Sequence, residues 1–458
     1  MRAIILVALA ASVAPAPAFA TDVFTLEGYG AKSRGMGGAG ASLNIGLAGI
    51  MSNPATLSLP SDTEDDPENQ ILIGLDIVGP SINARNLASG ETARSTNRSL
   101  NRGPYLAPQL AYARRFNNVT VGIGAFAAAG LGAEYGRNSF LSRGPSGQQS
   151  GLDNSARLFA FDIPVAVSAR VSDKLTVGGS VDAMWIGLSL NLQLQGDQVG
   201  SLIASSRASG SLVPVLGGIP GLDAAHIGAS KNSLVLNRLN GWGVGGRLGF
   251  TYRVLPTTTI GGSYNFKTNV ADLKGPATVT AISTVAGQIP LQGQLRVRDF
   301  QLPARISVGV TQNAGPNLTL TLEYQRVMWK SAMKDINVYY TADAGGDLSI
   351  KLPQNYRDQN IVAVGGQYRL QNWTLRAGGR FASEAVPSTT LLALVPGIPR
   401  YHATLGASFR VGRHGSIDLA FSHAFKERST NVNAPNTSAP ISVTHSQNNG
   451  VVSYTFGF

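Results

Sequence analysis

Trp373-Thr374-Leu375-Arg376-Ala377-Gly378-Gly379-Arg380-Phe381 and Tyr401-His402-Ala403-Thr404-Leu405-Gly406-Ala407-Ser408-Phe409-Arg410-Val411 carry a two-residue alternation. In the first run Trp373, Leu375, Ala377, Gly379 and Phe381 share one face, and Thr374, Arg376, Gly378 and Arg380 take the other. The second run repeats the pattern. In the last eight residues Val452, Tyr454, Phe456 and Phe458 lie opposite Val451, Ser453, Thr455 and Gly457. Period two marks strands with one apolar and one polar face. Lipid outside and a polar lumen inside would suit it, although a soluble sandwich alternates as well.

Working outward, the chain offers fourteen candidate strands: 71–79, 105–115, 119–135, 158–171, 175–194, 240–254, 258–273, 300–312, 318–330, 356–370, 373–384, 401–411, 416–427 and 450–458. Short connections with turn residues, such as Asn117-Asn118, Pro256-Thr257 and Gln371-Asn372, alternate with long ones, 136–157, 195–239, 274–299, 331–355, 385–400 and 428–449. Bacterial outer-membrane barrels combine an even strand number with short periplasmic turns and long outer loops. The expected fold is therefore all-β, a fourteen-stranded antiparallel transmembrane barrel over 71–458.

The N-terminus reads as an export signal. Arg2 precedes the apolar run 3–14, and Ala18-Phe19-Ala20 supplies a small-residue site, so cleavage is expected after Ala20. No later stretch has the roughly 18 consecutive apolar residues of a membrane helix. The 458 residues contain no cysteine, which excludes thiolate metal sites and cysteine nucleophiles and suits an oxidising compartment. The formal charge of +11 is spread evenly without basic clusters, so no nucleic-acid partner is expected. Residues 21–70 are glycine-dense and lack a clear strand. Yet Phe24, Leu26, Met36, Ile50 and Met51 are too apolar for a solvated tail. This segment is expected to fold inside the lumen as a plug.

Short motifs in fixed order give the chain a resemblance to a known family. They are Phe24-x-Leu26, Arg34-Gly35, Gly38-Ala39-Gly40-Ala41 and Asn53-Pro54-Ala55, then Gly130-Leu131 with Tyr135, Leu239-Asn240-Gly241-Trp242-Gly243, Phe300-Gln301-Leu302-Pro303 at the start of strand eight, Trp329 in strand nine, and Trp373 to Gly378. Together they resemble the FadL/TodX transporters of the outer membrane, which carry long-chain fatty acids and hydrocarbons. The resemblance implies passive uptake of a hydrophobic small molecule. Its hatch would carry the signature Arg34, Gly35, Asn53, Pro54 and Ala55. An inward kink of strand three at Gly130 and Leu131 would open the wall toward lipid. Phe24, Leu26, Trp329, Lys330, Arg376 and Arg380 are the ligand-binding candidates, and Arg410 a further cation for a carboxylate. No cation occurs between Trp185 and Leu194, where fatty acid members have them, which favours uncharged ligands.

Other chemistries find little support. There is no Walker A loop, no H-E-x-x-H and no G-x-S-x-G, and the five histidines have no metal-ligand spacing. No cofactor, metal or catalytic residue is expected. The G-x-G-x-x-G matches at Gly35–Gly40 and Gly241–Gly246 lack a strand-turn-helix setting. An open porin for polar solutes and a barrel-embedded hydrolase remain as alternatives. The expected partners are outer-membrane lipid with lipopolysaccharide, and the barrel assembly machinery reading Phe458. The protein is expected to be a monomer in the outer membrane of a Gram-negative cell.

Overall fold

The computed structural model describes residues 23–60, 67–95, 105–230 and 239–458, so the expected export signal lies outside the described residues. Long antiparallel strands pair in succession: Asn69–Asn86, Tyr105–Phe116, Val119–Gly136, Asn154–Arg170, Leu175–Gln195, Leu239–Leu255 and Thr258–Asn265. The ladder continues through Arg305–Asn313, Leu318–Val327, Gln359–Arg369, Trp373–Ala382, Tyr401–Val411, Gly415–Asn431 and Ile441–Gly457. The last strand then pairs back onto the first, Ile73 opposite Tyr454, and closes the sheet into a barrel. Closure satisfies the backbone groups that an open sheet would leave bare at its edges. No helix among the described residues is long and apolar enough to cross a membrane.

The faces are inverted relative to a soluble protein. Leu405 is 61% exposed and its neighbour Thr404 only 3%, and the same contrast separates Trp373 and Leu375 from Arg376 and Arg380. Rings at matching heights pack on the outside, as where Trp373 lies opposite Phe409 at 4.7 Å between centroids. Such a belt would be costly in water at about 25 cal/mol per Å² and is favourable against lipid.

Two expectations about the sheet need correction. Among the described residues it holds twenty-two strand segments, more than the fourteen expected. The regions read as loops at 195–239, 274–299 and 331–355 contain strands Leu222–Ala229, Leu273–Ser283, Gly287–Arg298, Asp335–Ala342 and Asp347–Pro353, which form a wing above the wall. Gly, Pro and Ser hid these strands, whose apolar face is covered by the helix Gly196–Ala204 and its neighbours. Strand boundaries also moved. The run 258–273 breaks after Asn265, Phe300 to Pro303 precede the strand instead of starting it, and Trp329 sits in a 3-10 turn, Trp329–Ser331.

Residues 23–60 fold into the helices Gly30–Gly35 and Gly49–Ser52 with 3-10 turns at Gly46–Ala48 and Pro54–Ser58, nearly all buried. They touch strands far apart around the barrel. The Gly40 and Ala41 N–H groups donate to Glu323 (2.7 and 2.8 Å), Gly37 N–H donates to Thr404 (3.0 Å), and Ser168 donates to the Ala55 carbonyl (3.0 Å). Gly37 and Gly38 have positive φ, and a Cβ on Gly38 would stand 1.8 Å from the Glu27 carbonyl oxygen, so the turn requires glycine.

Candidate ligand cavity and wall gap

Strand Val119–Gly136 changes partners midway. Its ladder with Tyr105–Phe116 ends at the pair Gln109 and Phe126, while pairing with Asn154–Arg170 continues to Gly136 through a register shift between Ala127 and Ala129. Bulges of this kind bend a strand and re-aim its side chains. Ala127, Ala128 and Ala129 are all buried where alternation would expose one of them. The freed backbone is met by the N-terminal segment. Gly130 N–H donates to the Phe24 carbonyl (2.8 Å), Thr25 bridges to Ala129, and the Tyr29 hydroxyl donates to the Ala128 carbonyl (3.1 Å). Pro108, which lacks an N–H, occupies the first unpaired position on the opposite edge. At the outer end the Tyr105 hydroxyl donates to Glu134 across the opening (3.3 Å).

A cavity of about 750 Å³ passes through this opening. Its inner lining includes Phe24 and Leu26, its edge includes Gly130 and Leu131, and its outer lining includes Leu106 and Trp242. Leu106 and Trp242 are half exposed on the lipid side, whereas Phe24 and Leu26 are buried within. That volume holds a small or medium hydrophobic molecule.

An ion network lies beneath it. Arg34, fully buried, reaches Asp76 (2.5 Å) and Glu27 (3.4 Å), and Gln109 donates to Asp76. Glu27 also lines the cavity and accepts hydrogen bonds from Asn449 (3.0 Å) and Ser422. Burial alone would raise its carboxyl, but Arg34, His402 and the two hydrogen bonds outweigh that and hold it at about 2.

The residues singled out in the sequence are distributed unevenly around this site. Phe24, Leu26, Gly130 and Leu131 line the cavity. Trp329 does not reach it: fully buried behind Phe24, it packs edge-on at 4.7 Å, with Phe300 and Tyr356 beside the pair. Lys330 is exposed, and its backbone N–H donates to Asp358 (3.1 Å). Arg376 donates to Gln367 and Ser408 (3.2 and 2.5 Å), and Arg380 donates to Gln325 (3.1 Å). Both sit under the N-terminal segment, since a Cβ on Gly35 would touch Arg376 and one on Gly38 would touch Arg380. Arg376 and Arg410 line a separate cavity of about 100 Å³ at the short-turn end. At Asn53 the side chain accepts from Ala55 N–H (3.1 Å) and donates to the carbonyls of Ala41 and Phe250 (2.6 and 3.0 Å), a capped corner against the wall.

Several lining residues escaped the sequence reading. Phe161 and Trp185 stand in one row with Trp242, which the sequence offered only as part of a motif, and the row is visible only once register is known. Arg157, His402 and His445 add polar atoms, and His445 Nδ1 donates to the Pro396 carbonyl (2.6 Å).

These features define a transmembrane β-barrel with an apolar cavity open through its wall. The chain belongs to the outer membrane protein transport protein family (OMPP1/FadL/TodX), whose family model matches residues 7–458. It is similar to the crystal structure of the toluene transporter TodX of Pseudomonas putida, with 38% identity, a TM-score of 0.83, and coverage of 94% of this chain and 99% of that one. The toluene transporter TbuX of Ralstonia pickettii is 40% identical at a TM-score of 0.79, over 94% and 99% of the two chains. The long-chain fatty acid transport protein of Salmonella typhi is 22% identical over 278 residues, 58% of this chain and 59% of that protein. Matches to the curated relatives span between 25% and 59% of their own lengths. The family is one of outer-membrane transport channels, not enzymes, which removes the hydrolase alternative.

Proposed function

We propose that the protein is a passive outer-membrane channel for uncharged hydrophobic compounds, which rest in the cavity beside Phe24 and leave sideways into lipid between Tyr105–Phe116 and Val119–Gly136. The carrying observation is the cavity that joins buried Phe24 to lipid-facing Leu106 where the ladder stops. A cargo with about ten buried CH₂ groups would lose roughly 8 kcal/mol on entering the aqueous periplasm, so delivery into lipid avoids most of that cost. In this reading residues 23–60 are the hatch: contacts with strands around the whole barrel support a filled lumen, which argues against an open porin. Trp329 positions Phe24, while Arg376 and Arg380 seat the hatch and leave the ligand alone.

One residue favours a second cargo. Arg157 is buried and lines the cavity, where a guanidinium would recognise a carboxylate. Arg157→Gln separates the two readings. With an uncharged cargo, uptake of radiolabelled toluene by whole cells is expected to stay within about twofold of wild type. A loss of long-chain fatty acid uptake of about tenfold, a barrier change near 1.4 kcal/mol, with toluene never transported by either protein, would replace the hydrocarbon reading.

Assembly is read from the other end of the chain. Lipid-facing Phe458 follows directly on the last strand, and its N–H donates to the Asn69 carbonyl (2.9 Å). Deleting Phe458 should lower the folded, heat-modifiable protein in outer-membrane fractions. Normal levels would remove its role as an assembly signal.

A further inference from the structure

The wing above the wall has two unlike faces. In its register Lys274 stands opposite Arg296, Arg296 opposite Tyr339, Arg298 opposite Asn337, and Asn337 opposite Lys351. Cross-strand partners and residues two apart share a face, so Lys274, Arg296, Arg298 and Lys351 form one outward cluster. All four are exposed, while the alternating residues Leu273, Leu295, Val297, Val338, Ile350 and Leu352 are buried. The Arg298 guanidinium lies 4.0 Å from the Tyr339 ring centroid, which keeps it extended along the face. Four carboxylates lie along this face, exposed Asp343 in the turn just past Asp335–Ala342 among them. Asp335 is engaged by Arg207 (3.2 Å) and Asp347 by the Ser211 hydroxyl (2.8 Å), and Asp272 reaches Arg296 and Arg298 only at 3.7 and 3.8 Å.

The height of the cluster identifies its surroundings. Lys274 pairs with Asn240, two residues along from Trp242 and four from Val244, both more than half exposed on the same outer face. At about 3.4 Å per residue the cations begin roughly 7 Å above the apolar belt, the level of lipid headgroups. The outer leaflet of this membrane is lipopolysaccharide, whose sugar headgroup carries phosphates.

We infer that the face formed by Lys274, Arg296, Arg298 and Lys351 binds the headgroup phosphates of outer-leaflet lipopolysaccharide. Two guanidiniums supply forked donors that match phosphate oxygens, and the two lysines add compact charges beside them. The contact anchors the wing, and with it the outer end of the barrel, to the leaflet from which cargo arrives.

The test measures lipopolysaccharide binding to the purified full-length protein in detergent, using one preparation with phosphorylated lipid A and the same preparation after enzymatic dephosphorylation. The variant K274Q/R296Q/R298Q/K351Q is compared with R114Q/K174Q/R253Q/R413Q, which removes four cations at the short-turn end. Wild type and the second variant should bind the phosphorylated form alike. The first variant should bind it about tenfold or more weakly, and dephosphorylation should weaken wild type to the same level. Equal binding by both variants, or equal binding of both preparations, overturns the inference. If the quadruple variant fails to fold, R298Q and K274Q alone carry the comparison, and wild-type binding by both overturns it as well.

Discussion

Gly130→Ile should stop hydrocarbon uptake while leaving the barrel in the membrane. Gly130 faces the opening, its φ is not in the left-handed region, and a Cβ there would meet only the Leu158 carbonyl oxygen at an ordinary 3.6 Å. The isoleucine is therefore accommodated by the strand and projects into the mouth of the cavity. Loss of uptake then reports on passage, not on folding. A fall of roughly tenfold or more, at least about 1.4 kcal/mol of added barrier, is expected for radiolabelled toluene at unchanged outer-membrane levels. Unchanged uptake would acquit Gly130. If bulky replacements from Ala127 to Ala133 also had no effect, the lateral route would fall with it.

The second large effect is expected at Arg34→Ala. This side chain is wholly enclosed between Glu27 and Asp76, so its removal strands two buried carboxylates. Breaking a buried pair costs about 3–5 kcal/mol, which would shift the seating of the N-terminal segment by roughly two to four powers of ten. Ion conductance of the protein in planar bilayers should rise from rare openings to sustained current. Acid should imitate it. Because Glu27 is held at about 2 against an ordinary 4.5, its contribution is complete above 4.5 and is lost as pH falls through about 2. The Glu27 contribution to wild-type closure should therefore be flat between pH 5 and 8 and be lost only below about 4.5, with conductance climbing there. A closed Arg34→Ala channel at neutral pH would show that other contacts alone seat the segment.

Much of the wall was legible in the sequence because each strand must present lipid on one side and polar surface on the other. That constraint wrote the alternation at 373–381 and 401–411, and both faces appear in the structure as read. The wing was not legible. Its strands bury their apolar face under short helices instead of lipid and are interrupted by Gly and Pro, so Leu295, Val297 and Leu352 passed for loop residues. The cavity was half legible. Phe24, Leu26 and Gly130 carried motif signals, whereas Arg376 and Arg380 share the inward face but lie against the N-terminal segment at Gly35 and Gly38. Strand face can be counted along a sequence. Height along the barrel depends on cross-strand register, which also sets Phe161, Trp185 and Trp242 in a row.

A crystal structure of the protein soaked with bromobenzene would test the lateral route most directly, because bromine is located by anomalous scattering without reference to any expected pose. Density is predicted in the cavity between Phe24 and the opening flanked by Leu106 and Gly130. Density confined to the short-turn cavity beside Arg376 and Arg410, with none at the wall opening, would contradict it.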